Sequence, residues 1–161
     1  MQPAFEANGR SRPSFLRKLR PMEKKSLATR VVDAMFNNDA FSQWLGIERI
    51  EEGPGRSVLR MTVRAEMLNG FGIAHGGISF SLADSALAFA CNSHGQKAVS
   101  IETSISHTKQ VKEGDVLTAI AEEKTRTNKI GIYEVSVKNQ REELVALFKG
   151  IVYRTSKEWE V

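Results

Sequence analysis

The sequence predicts an α+β fold in which one long central helix is wrapped by an antiparallel sheet of about six strands. Three observations predict it. A single long apolar segment, Ile78 to Asn92, has helical spacing, with Ile78, Leu82, Ala86 and Phe89 at steps of four, four and three. The runs flanking it alternate apolar and polar residues, as half-buried strands do. Four of these runs follow one another after the helix with only short turns between them, which favours antiparallel neighbours.

Taken in order, the chain opens on a basic leader. Arg10, Arg12, Arg17, Lys18, Arg20, Lys24 and Lys25 stand against Glu6 and Glu23, a net charge of +5. The other 136 residues carry 16 basic and 17 acidic side chains, net −1. The sequence pI of 9.3 therefore describes the leader and not the domain. Residues 1–22 are expected to be a disordered, solvated leader, and residues 23–161 one domain with a full core. Basic tails also serve nucleic acids, membrane surfaces and targeting; no nucleic-acid partner is expected here.

From Glu23 to Phe36 the spacing of Leu27, Val31 and Met35 predicts a helix that stops at Asn37 and Asn38. Asp39 can cap a short second helix ending at Gly46. Both are expected to close one end of the domain. The period then changes. Ile47 and Ile50 lie in a short strand, Pro54 and Gly55 make a turn, and Leu59, Met61 and Val63 alternate with Arg60, Thr62 and Arg64. After the central helix, strands are expected over Val99–Ser106, Val116–Arg126, Ile130–Asn139 and Leu144–Arg154. Glu113 to Asp115, Thr127 to Lys129, and Gln140 with Arg141 separate them.

The central segment carries the chemistry. Ser79, Ser81, Ala83, Ser85, Ala86, Ala88 and Ala90 make a thin helix that a sheet can approach closely. Its only charge is Asp84, on a face shared with Ser81, Ala88 and Cys91. A buried carboxylate is costly unless paired or protonated. Asp84 is thus either a structural acceptor on a solvated stripe or a base or nucleophile aimed into a cleft. His75, Gly76 and Gly77 precede the helix, where free N–H groups and the positive end of the helix dipole suit a developing oxyanion. Ser79 could instead cap a later start.

Several classes are disfavoured. No apolar run fits a secretory signal or reaches membrane-spanning length without a charge. Cys91 is the only cysteine, so no intrachain disulfide exists, and its place reads as packing. Three histidines with no cysteine cluster argue against structural zinc, and no metal or separate cofactor is expected. Gly70-x-Gly72 is only a fragment of a dinucleotide fingerprint.

Asn69-Gly70, His75-Gly76-Gly77 and Phe80-Ser81-Leu82-Ala83-Asp84-Ser85, in this spacing, resemble the hotdog-fold acyl-CoA thioesterases, and within them the phenylacetic-acid-degradation (PaaI) family. The likeness extends to Leu45-Gly46-Ile47, Met61-Thr62-Val63, Gly114-Asp115, Gly131-x-Tyr133 and Val145-Ala146-Leu147-Phe148, and covers about residues 24–155. The resemblance implies a hotdog fold and a cytoplasmic homo-oligomer, a dimer or tetramer, that hydrolyses acyl-CoA. Coenzyme A is then part of the substrate. It also implies roles: the Gly76 N–H polarises the thioester carbonyl, and Asp84 of one subunit serves as base or nucleophile facing Asn69 and Gly76 of another. Asn69 orients water or carbonyl, His75 holds the loop, and Ser100 supplies an auxiliary hydroxyl. Asn69 and His75 are equally open to plain turn-forming and loop-bracing readings.

Gly77, Phe71 and Ser81 are expected to line the acyl site, and Lys109, Arg126 and Lys129 are candidates for the CoA phosphates. Two stretches depart from the family. Phe71 to Ala74 is unusually apolar, and His107-Thr108-Lys109-Gln110 stands where an apolar-Arg-Pro segment is common. Small residues on the Asp84 face lead to an expectation of aryl-acetyl or medium-chain acyl groups. A non-catalytic acyl-CoA sensor and a hydratase or dehydratase of the same fold are the alternatives.

Overall fold

A thin apolar helix is stable only if something covers it, and here a sheet does. The computed structural model describes residues 25–161; the basic leader assigned to residues 1–22 lies outside them. Helix α3 (Gly76–Asn92) has Leu82, Ala83, Ala86 and Ala90 at 0% exposure, and Leu87 and Phe89 are equally enclosed. Burying each of the large side chains contributes about 1.5–3 kcal/mol. Small side chains let the sheet come close. At Gly150 an added Cβ would collide with Leu87, so that position has room only for hydrogen.

The sheet has six strands in the order β1-β2-β4-β5-β6-β3, with every neighbouring pair antiparallel. They are β1 (Glu48–Gly53), β2 (Arg56–Thr62), β3 (Gln96–His107), β4 (Val116–Arg126), β5 (Ile130–Lys138) and β6 (Leu144–Glu158). Pro54 and Gly55 form the two-residue β1–β2 turn, with Gly55 at φ 71°. A single 3-10 turn, Ala65–Met67, leads from β2 toward α3. Inward-facing residues recur at every second position: Leu117, Ala119 and Ala121 on β4, and Tyr133, Val135 and Val137 on β5. The expected fold class holds, and with it the inside-outside assignment of the strands.

Two short helices close one side of this core. Helix α1 (Leu27–Phe36) starts at Ser26, whose hydroxyl accepts the Thr29 N–H at 3.1 Å, so it begins later than the Glu23 start expected from periodicity. Phe36 packs edge-on against Phe89, with ring centroids 6.2 Å apart. Helix α2 (Ala40–Leu45) is capped by Asp39 and ends at left-handed Gly46. Its buried Ser42 hydroxyl lies 2.9 Å from that of Ser85, which fixes α2 to α3.

The last strand differs from expectation. Periodicity ends it at Arg154, yet β6 continues to Glu158, and β3 starts at Gln96 instead of Val99. Gln96 and Glu158 are paired. Thr155 to Glu158 are polar, so no alternation marks them. Pairing of Glu158 with Gln96 across a bulge holds them, helped by the Thr155 hydroxyl donating to the Lys97 carbonyl at 2.9 Å.

The two sheet edges are unlike. β1 is six residues long, bulged between Arg49 and Glu51, and crossed by ion pairs such as Arg60–Glu48 at 2.6 Å. Such features blunt an edge. β3 is twelve residues long, pairs only with β6, and exposes Val99 and Ile101. Among the described residues no helix is long and apolar enough to cross a membrane.

Candidate active site

The loop before α3 closes on itself. The Asn69 N–H donates to the Ile73 carbonyl at 2.8 Å, and the Gly72 N–H donates back to the Asn69 carbonyl at 3.0 Å. The Asn69 side-chain oxygen accepts the Phe71 N–H at 2.9 Å, a turn that asparagine forms readily. Its amide NH2 group has no partner among the described residues. His75 caps the helix: its Nδ1 accepts the Gly77 N–H at 2.9 Å, which places the neutral ring's proton on Nε2. The helix therefore starts at Gly76, and Ser79 is not its cap. Of the two glycine N–H groups at this positive helix end, that of Gly77 is occupied. The Gly76 N–H has no partner among the described residues.

His107, at the end of β3, lies across this first turn. Its Nε2 is 3.2 Å from the Gly76 carbonyl oxygen, to which it donates, and 3.0 Å from the Ser79 hydroxyl. Asn69, Ile73, Ala74, Gly76, Ser79, His107 and Lys109 line a cavity of about 370 Å³. Lys109 stands at its rim in an ion pair with Glu143 at 2.8 Å. Asn139, Lys109 and Arg141 together hold the Glu143 carboxyl down at about 2.

Asp84 is elsewhere. It is half-buried two turns further along α3, about 12 Å from Gly76 at 1.5 Å per residue. Among the described residues it has no ion pair and no hydrogen-bond donor. Burial raises its carboxyl above the ordinary aspartate value, and nothing offsets that. It opens onto a second cavity of about 350 Å³, which it lines with Met35, Ala88, Cys91, Ser100 and Trp159. Burial pushes the Cys91 thiol up to about 12, so it stays protonated and inert at neutral pH.

One chain thus holds two half-sites. Asn69, Gly76 and Lys109 share the first cavity; Asp84 and Ser100 share the second. His75 and Gly77 adjoin Gly76 as the cap and first turn of the helix; the other residues singled out from the sequence meet neither group closely. Phe71 is 90% exposed, and the Ser81 hydroxyl donates to the Gly77 carbonyl at 2.7 Å. Arg126 pairs with Glu123 at 3.1 Å, and the Lys129 ammonium lies 5.6 Å from the Tyr153 ring centre; both sit on the β4–β5 hairpin and line neither cavity. Three further residues at these cavities carry only a weak signal in the sequence. His107 was visible only as a departure from the family pattern, Met35 as one apolar position of α1, and Trp159 as a lone aromatic in a polar terminal stretch.

The arrangement offers an unoccupied backbone donor at a helix N-terminus and an unpaired carboxylate with a raised pKa. These are the parts that addition of water to a carbonyl requires. The donor and the carboxylate, or a water held by it, have to meet at one carbonyl group, and about 12 Å of helix separates them within one chain.

Comparison with known proteins finds thioesterases among the relatives of this chain. Residues 71–146 match the thioesterase superfamily. The acyl-coenzyme A thioesterase PaaI of Escherichia coli K12 is 44% identical over 121 residues, covering 75% of this chain and 86% of that protein. The solved structure of E. coli PaaI, from the phenylacetic acid degradation operon, superposes with a TM-score of 0.81 at 41% identity, over 82% of this chain and 96% of that one. A thioesterase protein of Streptococcus pneumoniae TIGR4, solved with coenzyme A, superposes with a TM-score of 0.73 at 28% identity, over 78% and 98% of the two chains.

Proposed function

This chain belongs to the PaaI-type hotdog enzymes of the thioesterase superfamily, and from that membership we propose that it hydrolyses aryl-acetyl- or medium-chain acyl-CoA thioesters to the free acid and CoA. It is a thioester hydrolase. The observation that carries the finer reading is the unpaired carboxylate of Asp84. A structural acid in a half-buried site would have acquired a donor, because leaving it without one is costly. Asp84 has none among the described residues, and it faces open space.

In this reading the thioester oxygen accepts the Gly76 N–H, where the helix dipole stabilises the charge that develops as the carbonyl carbon becomes tetrahedral. Asp84 takes a proton from water as the water oxygen bonds to that carbon. The C–S bond then breaks, and the thiolate leaves with the proton Asp84 received. Alternatively the Asp84 carboxylate adds to the carbon itself, expels the thiolate, and leaves a mixed anhydride that water cleaves. Both routes use the same groups. Ser100 and the Asn69 amide are hydrogen-bonding partners for the water or the carbonyl.

The separation of the half-sites supports an oligomer in which Asp84 of one subunit meets Gly76 and Asn69 of the next. The long free edge of β3 is the natural seam for that dimer, since pairing would satisfy its unused N–H and C=O groups. A groove by Ile132 and Leu147 offers a second contact for a tetramer. Lys109, at the rim of the first cavity, is placed to meet CoA phosphates, and a CoA-ester substrate with one protonated buried thiol suits a cytoplasmic enzyme.

Likeness to the phenylacetic acid operon protein puts phenylacetyl-CoA high on the substrate panel. Thiol release from acetyl-, hexanoyl-, phenylacetyl- and palmitoyl-CoA tests the proposal. Rate should climb with apolar carbons until the pocket is full, about fourfold per methylene at ~0.8 kcal/mol each. A flat profile or an acetyl optimum overturns the acyl pocket. Tight acyl-CoA binding without thiol release identifies a sensor instead, and a change in enoyl absorbance identifies a hydratase.

A further inference from the structure

We infer that Trp159 is the end wall of the acyl pocket and sets the longest acyl group the enzyme accepts; the inference rests on the reading of Asp84 as the reacting end of that pocket. The cavity of about 350 Å³ follows one face of α3, through Asp84, Ala88 and Cys91 at steps of four and three, to Asn92. Asp84 and Asn92 are about 12 Å apart along the helix at 1.5 Å per residue. Polar groups occupy the two ends: the Asp84 carboxylate with the Ser100 hydroxyl at one, and Asn92 with Trp159 and Lys97 at the other. Between them Leu87, Ala88, Cys91, Met35 and Ala98 are apolar. An acyl chain whose carbonyl carbon sits at Asp84 has this floor to follow, and the charged nucleotide of CoA does not suit it.

Trp159 is there because β6 runs on to Glu158 beyond its last alternating residue. It is held on several sides. Its backbone N–H donates to the Gly95 carbonyl at 2.8 Å, and its indole Nε1–H donates to the Asn92 side-chain oxygen at 2.8 Å. The Lys97 ammonium lies 4.9 Å from the ring centre. Asn92 is itself 3% exposed and fully engaged, accepting the Ala98 N–H at 3.0 Å and donating to the Ala88 and Ala98 carbonyls, each at 3.0 Å. Arg30 holds the segment from the other side through the Val161 carbonyl at 2.6 Å. The ring cannot swing aside for a longer chain without losing its hydrogen bond to Asn92 and its contact with Lys97. A chain that passed it would meet the Lys97 ammonium, a poor neighbour for methylenes. The wall is therefore rigid and its far side polar.

The test is the acyl-length profile of the full chain, measured as thiol release from acetyl- through palmitoyl-CoA. Trp159→Ala should move the optimum to longer chains, raising the palmitoyl-to-hexanoyl ratio of kcat/KM at least tenfold. Trp159→Phe keeps a wall and should keep the wild-type optimum. Ala88→Leu, on the same floor, should lower the hexanoyl-to-acetyl ratio about tenfold, and it decides the matter if Trp159→Ala does not fold. Folded Trp159→Ala with an unchanged profile overturns the inference, as does an unchanged profile in Ala88→Leu. Wild-type turnover in Asp84→Asn would overturn the underlying reading instead, so the two failures are distinguishable.

Discussion

The Nε2 atom of His107 lies 3.2 Å from the carbonyl oxygen of Gly76, so the end of β3 grips the first turn of α3 at the glycine whose own N–H has no partner among the described residues. An added Cβ at Gly76 would stand 3.1 Å from Cε1 of that imidazole. The backbone at Gly76 tolerates alanine, which is a better helix former than glycine. Gly76→Ala is therefore expected to fold normally while displacing His107 and the neighbouring N–H, at a cost of about tenfold or more in kcat. In a double-mutant cycle Gly76→Ala with His107→Ala should lose less than the two singles combined. Strict additivity of the three kcat values would show that the contact plays no part in catalysis.

The pH dependence follows from Asp84. Burial raises its carboxyl, and a base or nucleophile must be ionised. The acidic limb of kcat/KM should thus fall at a higher pH than for an exposed aspartate, and Asp84→Asn should lose at least ~100-fold in kcat. Stability has the same sign. A raised folded-state pKa contributes stability below the ordinary aspartate value of 3.8, and this is lost as pH rises through the folded value. At neutral pH the ionised group is a liability, so Asp84→Asn should raise Tm by a few degrees there and not in strong acid. Paired melting curves at the two pH values check this.

Sharing of the site between subunits can be tested by mixing. Asp84→Ala and Asn69→Ala should each be impaired as homodimers. A dimer with one chain of each kind has one intact site if Asp84 and Asn69 come from different chains. Random reassociation should then restore roughly a quarter of wild-type turnover. If both residues serve one site from the same chain, mixing restores nothing.

Lys109 pairs with Glu143 at 2.8 Å beside the first cavity, so an anion entering there would compete with that carboxylate. Lys109→Gln should raise KM for a CoA ester several-fold and leave kcat alone, and Glu143→Gln should lower KM by freeing the ammonium. Both effects should shrink in high salt and disappear with an acyl-cysteamine thioester that carries no phosphate. Steady-state kinetics on the two substrates separates phosphate binding from a structural role.

What could be read from the sequence depended on whether a residue's partners were close to it in the chain. Leu117, Ala119 and Ala121 alternate strictly, and the strand they mark runs over Val116–Arg126 as expected. Asp84 stood out because a charge in an apolar helix is conspicuous on chemistry alone. The Asn69 turn was legible because asparagine bonds to its own loop. His107 over Gly76 was not, since the contact joins the end of one strand to the start of a helix far back in the chain. Nor was the extension of β6, where Glu158 pairs with Gln96 of β3 across a bulge and Thr155 to Glu158 show no alternation. Residue spacing alone did not divide the site into two halves. That division follows from the length of α3 between Gly76 and Asp84.

The seat of Leu87 against Gly150 ties the side-chain sizes of two distant positions together. A side chain at position 150 forces Leu87 to move or shrink, so change at 150 is tied to change at 87. Among descendants of a common ancestor, a larger residue at 150 should accompany a smaller one at 87, and lineages should cross between the two states by paired replacement. Gly150→Ala would then be tolerated in a Leu87→Ala background and rejected in the parent. The closest approach of sheet to helix is in this way recorded as a correlation between two columns of related sequences.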